Sequence, residues 1–97
     1  IMIDCSHANS GKDHTRQGGV CREVAAQLAN GEKRIIGVML ESNLVAGTQK
    51  LAPGQPLVYG QSITDACIAW DETADLLGDL AAAVRVGRPT SPRNTLV

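Results

Sequence analysis

The sequence contains no phenylalanine, and its aromatic content is 2%, carried by Tyr59 and Trp70 alone. A free-standing domain usually draws much of its buried area from such rings. A chain of 97 residues without them therefore reads as one part of a larger core. Net charge is also nearly absent, since nine Lys and Arg against ten Asp and Glu leave a formal charge of −1. That balance provides no basic field to attract nucleic acid or an anionic membrane, and neither partner is expected. No apolar run approaches the ~18 residues of a membrane span. No charged-then-apolar leader opens the chain. Cys5, Cys21 and Cys67 form no Cys-x-x-Cys pair and are too few to staple a small secreted fold. A reducing, cytoplasmic setting is expected.

What remains is an ordinary small globular composition. A hydrophobic content of 43% excludes wholesale disorder, and the length allows one small domain. The chain opens directly into Ile1-Met2-Ile3, which reads as a strand over residues 1–6. It is expected to begin in mid-fold, as a piece of a longer protein. A polar, Gly-containing loop follows over 8–19. Val20, Val24 and Leu28 then recur at helical spacing over 17–29, with Asn30-Gly31 as the stop. Residues 34–41 form a second strand, apolar on both faces, as in parallel sheets covered by helices. Pro53, Gly54, Pro56 and Gly60 break residues 42–61 into a long loop of the kind that usually serves a site. Ile63, Ala66, Cys67 and Trp70 fit one helical face. A longer helix is expected over 71–86, with Leu76, Leu77, Leu80 and Val84 on its buried side. Residues 1–87 thus form the folded unit, and 88–97, with Pro89 and Pro92, a mobile tail.

Two strand-then-helix units imply an α/β fold with parallel strands. His7 and Glu41, each closing a strand, stand 34 positions apart. A (β/α)8 barrel spends about 31 residues per unit, so the spacing suits two successive barrel units, and equally an open α/β sheet. In either case the carboxyl ends of the strands carry the active site. Alternation puts Ile3, Cys5 and His7 on one face of the first strand. In the second, Ile35, Gly37, Met39 and Glu41 share a face, opposite the aliphatic set Ile36, Val38 and Leu40. An imidazole and a carboxylate at neighbouring strand ends can share a divalent cation, with Asp65 as a third ligand.

Each candidate has a plainer alternative. His7 could hydrogen-bond across the mouth of the sheet. Glu41 could pair with Lys33, Lys50 or an arginine. Ser62-Ile63-Thr64-Asp65 has the spacing of a capping box, which would make Asp65 a helix cap. Cys5-Ser6-His7 is a weak two-ligand pattern, Cys21 and Cys67 suit a core, and His14 suits a solvated loop. Asp4 falls opposite His7, with no assigned role.

Three linear motifs decide more. The runs Asp4-Cys5-Ser6-His7-Ala8-Asn9-Ser10, Gly37-Val38-Met39-Leu40-Glu41-Ser42-Asn43-Leu44 and Tyr59-Gly60-Gln61-Ser62-Ile63-Thr64-Asp65-Ala66-Cys67-Ile68-Ala69-Trp70 closely resemble the C-terminal part of the class I 3-deoxy-D-arabino-heptulosonate 7-phosphate (DAHP) synthases. The resemblance covers residue 1 to about 86. It implies a transferase with a TIM (β/α)8 barrel, of which this chain supplies the last two strands and helices. Such enzymes condense phosphoenolpyruvate with erythrose 4-phosphate to DAHP and phosphate, the first step of the shikimate pathway to aromatic amino acids. The family's divalent metal is held by Cys, His, Glu and Asp, and the last three match His7, Glu41 and Asp65, with catalytic roles implied for His7 and Asp65. The cysteine ligand belongs to the first barrel strand. Cys5 stands where some relatives carry Phe and does not replace it. Mn, Fe, Co and Zn all suit such ligands. The resemblance further implies that the chain alone is inactive, since the main phosphoenolpyruvate clamp comes from earlier strands. A homo-oligomer is expected, and so is self-association of the chain made alone. The alternative is a non-catalytic α/β interaction module derived from such an enzyme.

Overall fold

A computed structural model describes residues 1–88. Its regular elements are β1 (Met2–Asp4), α1 (Gln17–Ala29), β2 (Gly37–Met39) and α2 (Trp70–Gly87), with short 3-10 turns at His7–Ser10 and His14–Arg16 before α1. The strands pair in parallel, with Met2 opposite Gly37 and Asp4 opposite Met39. Parallel pairing needs a crossover, which α1 supplies. The α/β reading holds, although both strands are shorter than expected. One further bond at each end, Ile36 N–H to the Ile1 carbonyl and Cys5 N–H to that of Met39, completes the ladder. The tail expected at 88–97 lies, from residue 89 onward, outside the described residues. Among those described, no helix is long and apolar enough to cross a membrane.

The helices lie together on one face of the strand pair. Cys5, Cys21, Ile68 and Leu76 form the buried centre, and Val20, Val38, Leu40 and Leu80 pack around it. Burying a side chain such as Leu76 contributes about 1.5–3 kcal/mol. Val38 and Leu40 therefore face the helices, as the strand pattern predicts. Ile36 does not join them and is 81% exposed. α1 ends at Asn30-Gly31 as expected, Gly31 taking a left-handed φ of +92°. In α2 the buried stripe is turned from the expected one. Thr73, Leu76 and Ala83 are buried and Leu80 half-buried, while Leu77 is 49% and Val84 37% exposed. Close approach of the helices depends on Gly87, where an added Cβ would lie 1.8 Å from the Leu28 carbonyl oxygen.

The helical face expected at 63–70 is absent. Its backbone is committed elsewhere: Ile68 N–H donates to the Glu41 carbonyl, Asn43 N–H to that of Ile68, and Cys67 exchanges two bonds with Gly47. Cys67-Ile68 is thus a short extended piece that continues the edge of β2, and α2 starts only at Trp70. The loop 42–61 folds back on this piece through the bridges Gly47–Cys67 and Thr48–Ser62. This return is what carries Asp65 to the carboxyl end of the strands.

Candidate metal centre

β1 ends at Asp4, and the chain leaves the strand before His7. Cys5 turns its side chain into the helix-side core. His7 instead opens a 3-10 turn at φ +52°, a left-handed value that is strained for a residue with a side chain. His7 therefore does not share a face with Cys5, and alternation along β1 fails before it reaches this residue. The strained turn is fixed by Lys12 N–H donating to the His7 carbonyl (2.7 Å) and by Ser10 Oγ donating to the same oxygen (3.1 Å). Burial pushes the Cys5 thiol up to about 11. A protonated, inward-facing thiol does not form a two-ligand clip with His7.

The turn points the imidazole at Asp4. His7 Nδ1 lies 2.9 Å from Asp4 Oδ2 and 2.9 Å from Ser6 Oγ. Asp4 Oδ1 accepts from the Ser6 backbone N–H (2.8 Å) and hydroxyl (2.5 Å). The tautomer that satisfies Asp4 carries its proton on Nδ1, which leaves the Nε2 lone pair free. The hydrogen bond from Asp4 is also the largest cause of a raised His7 pKa, followed by the charge of Glu41. Asp4 is shifted the other way, below the usual carboxylate range, by hydrogen bonds from the Ser6 hydroxyl and from His7.

The free Nε2 faces two carboxylates. Glu41 Oε1 is 3.7 Å and Asp65 Oδ2 3.6 Å away. One ligand atom from each of His7, Glu41 and Asp65 lies within 4.8 Å of the other two. The three arrive from separate segments: the strand-exit turn, the second residue beyond β2, and the segment before Cys67. Glu41 makes no ion pair with Lys33, Lys50 or an arginine among the described residues. Nor does Asp65 cap a helix, because Ser62 Oγ closes a local turn onto Thr64 N–H (3.0 Å) and α2 begins after Ala69. With Asp4, three carboxylates surround a single imidazole. That excess of negative charge and the nitrogen–oxygen donor set suit a divalent cation. The cleft at this point has a volume of about 290 Å³, with Lys12 and half-buried His14 on its wall.

Two contributors were missed in the sequence. Asp4 could have been found, since its spacing to His7 allows contact once the strand gives way to a turn. Gln17 gave no signal. It is the first residue of α1 and fully buried, yet both ends of its amide bond the backbone of Glu41.

Comparison with known proteins places these residues in context. The family whose profile matches, over residues 1–78, is described as the DAHP synthetase I family. Among curated proteins, the chain is 58% identical over 88 residues to the "Phospho-2-dehydro-3-deoxyheptonate aldolase, Phe-sensitive" of Escherichia coli (strain K12), covering 91% of this chain and 25% of that protein. It is 56% identical over 95 residues to the phospho-2-dehydro-3-deoxyheptonate aldolase of Corynebacterium glutamicum, covering 91% of this chain and 26% of the relative. Among solved structures, the phospho-2-dehydro-3-deoxyheptonate aldolase of Francisella tularensis SCHU S4 superimposes with a TM-score of 0.85 at 49% identity, over 92% of this chain and 26% of that one. The chain thus spans about a quarter of the length of the relatives it matches.

Proposed function

The chain belongs to the DAHP synthetase I family, and from that premise we propose that it contributes three ligands of a divalent metal centre, His7, Glu41 and Asp65, to the condensation of phosphoenolpyruvate with erythrose 4-phosphate. The observation that carries this reading is the convergence of the three side chains, with Nε2 3.6 and 3.7 Å from the two carboxylates. A derived module that kept these residues as caps and ion pairs would have no reason to bring them together, so the convergence favours the enzymatic reading.

In this proposal each residue has a defined task. Asp4 holds the His7 proton on Nδ1 and so keeps Nε2 available as a ligand. Glu41 and Asp65 supply negative oxygens on either side. When bound, a divalent cation supplies Lewis acidity to polarise the aldehyde oxygen of the sugar phosphate. Mn, Fe, Co and Zn all fit a donor set of one imidazole and two carboxylates. His7 and Asp65, on the more exposed side of the cleft, are the residues that reach the reacting groups.

The architecture proposed is two neighbouring units, the last two, of a (β/α)8 barrel. Its support is the parallel β1–β2 pair covered by helices on one face and open on the other, where Met2 is 65% and Met39 37% exposed. Remaining strands of a barrel would cover that face, and alone it favours self-association. The 97-residue chain is accordingly inactive by itself.

Two measurements test the proposal. Titration with Mn²⁺ should show binding that the His7→Ala substitution weakens by at least tenfold, and equal binding by both chains would refute the metal assignment. Phosphate release from phosphoenolpyruvate and erythrose 4-phosphate by the chain alone should stay at background. Turnover there would refute its dependence on other parts of a barrel.

A further inference from the structure

We infer that Gln17 is a positioning residue for Glu41, and that it stands in for a strand that the fold does not continue. The inference rests on the proposed metal centre for its consequence, but not for its geometry. β1 and β2 run together only as far as Cys5 and Met39, where Cys5 N–H donates to the Met39 carbonyl. Beyond that point β1 must bend away, because His7 has to enter its left-handed turn. Glu41 is thereby left without a partner in β1. A backbone amide without an acceptor, half-shielded from water, would be free to swing or to seek another partner.

The Gln17 amide fills the vacated place. Its Oε1 accepts from the Glu41 backbone N–H at 2.8 Å, and its Nε2 donates to the Glu41 carbonyl at 3.1 Å. A primary amide offers the same donor and acceptor as a peptide group, so this reciprocal pair imitates one rung of a β-ladder. Ile68 N–H also donates to the same Glu41 carbonyl, at 2.9 Å. Three bonds therefore fix the backbone from which the Glu41 carboxylate projects. Gln17 is itself fully buried at the head of α1, so its rotamer is set by packing. A carboxylate held in this way reaches Nε2 without first being ordered, and loss of such support around a metal ligand typically costs about 10–100-fold in affinity.

The test is a comparison in the full chain of Gln17→Met, which keeps size and burial but removes both bonds, with Leu80→Ala, which disturbs the core away from the cleft. Two readouts are taken. The first is hydrogen exchange at the Glu41 amide without metal, expected to be slow in the unmodified chain and faster by at least tenfold in Gln17→Met. The second is the dissociation constant for Mn²⁺ alone, expected to rise about 10–100-fold in Gln17→Met and by under threefold in Leu80→Ala. Equal Mn²⁺ affinities for Gln17→Met and the unmodified chain would overturn the inference, as would losses that merely follow stability in both variants. If Gln17→Met does not fold, exchange in the unmodified chain decides: protection of Glu41 comparable with core amides of α1 supports the inference, and solvent-like exchange overturns it. An unmodified chain that binds Mn²⁺ no better than His7→Ala overturns the metal reading instead, and the exchange result still judges the role of Gln17.

Discussion

Replacing Asp4 by Asn tests the assembly of the centre at its least conspicuous member. The two side chains are the same size, so the turn from Asp4 to Ser6 is preserved, with Oδ1 still accepting from the Ser6 N–H now at 2.8 Å. What changes is the atom 2.9 Å from His7 Nδ1, which becomes an amide donor instead of a carboxylate. A donor there demands a bare Nδ1, and so moves the imidazole proton to Nε2, the nitrogen that faces Glu41 and Asp65. The nitrogen meant to ligate then carries a hydrogen. Loss of such a partner weakens metal binding by about 10–100-fold. The side chains of His7 and Asp4 are 49% and 38% exposed, so water supplies alternative partners and the low end applies. The expected result is about a tenfold rise in the Mn²⁺ dissociation constant, measured by calorimetry near neutral pH. In the metal-free chain the His7 pKa should fall, because Asp4 is the largest cause of its elevation, and proton NMR of the imidazole reads this directly. Unchanged Mn²⁺ affinity in a correctly folded Asp4→Asn chain would refute the reasoning, as would a His7 pKa that rises.

Two further expectations concern stability. Gly87→Ala gains less than the ~1 kcal/mol of helix propensity available in a helix interior, because Gly87 is the last residue of α2, and its Cβ would lie 1.8 Å from the Leu28 carbonyl oxygen. Overpacking against backbone costs about 1–3 kcal/mol, so the melting temperature should fall, and an increase would mean that the α1–α2 approach is looser than described. Acid titration should destabilise the chain. The pKa values of Asp4, Asp13 and Glu32 are lowered, chiefly by hydrogen bonds from Ser6, Thr15 and Arg34 respectively. Their contributions are complete above their ordinary values of 3.8, 3.8 and 4.5 and are lost as pH falls through the lower folded values. His7 is raised and acts oppositely, contributing fully below its ordinary 6.5 and losing that contribution as pH rises through its folded value. Thermal melts should therefore show stability declining below about pH 4, and falling a little as pH rises beyond the ordinary imidazole value of 6.5. A melting temperature that climbs as the pH is taken down from about 5 to 3 would contradict the assignment.

The sequence by itself determined the order of elements, the parallel α/β class and the three residues that converge. Their determinants are local: helical recurrence at Val20, Val24 and Leu28, the Asn30-Gly31 stop, an apolar second strand, and motifs specific enough to single out His7, Glu41 and Asp65. It misassigned the segment before Trp70, because spacing in Ile63, Ala66 and Cys67 cannot reveal that the backbone of Cys67 is bonded to Gly47 and that of Ile68 to Glu41 and Asn43. It also placed His7 by an alternation that the chain abandons at Cys5. Tertiary structure decided which side of α2 is buried, what holds His7 Nδ1, and why Glu41 stays in place. The first and last of these depend on groups distant in sequence whose contact exists only after the helices close over the strands, whereas the hold on His7 Nδ1 depends on a local turn that strand alternation does not foresee. Asp4 is near enough to His7 to be guessed from a turn, but Gln17 reaches Glu41 across 24 positions through one side-chain amide. Hydrophobic periodicity carries no record of a hydrogen bond of that kind, since a buried glutamine and a surface glutamine look the same in a linear sequence.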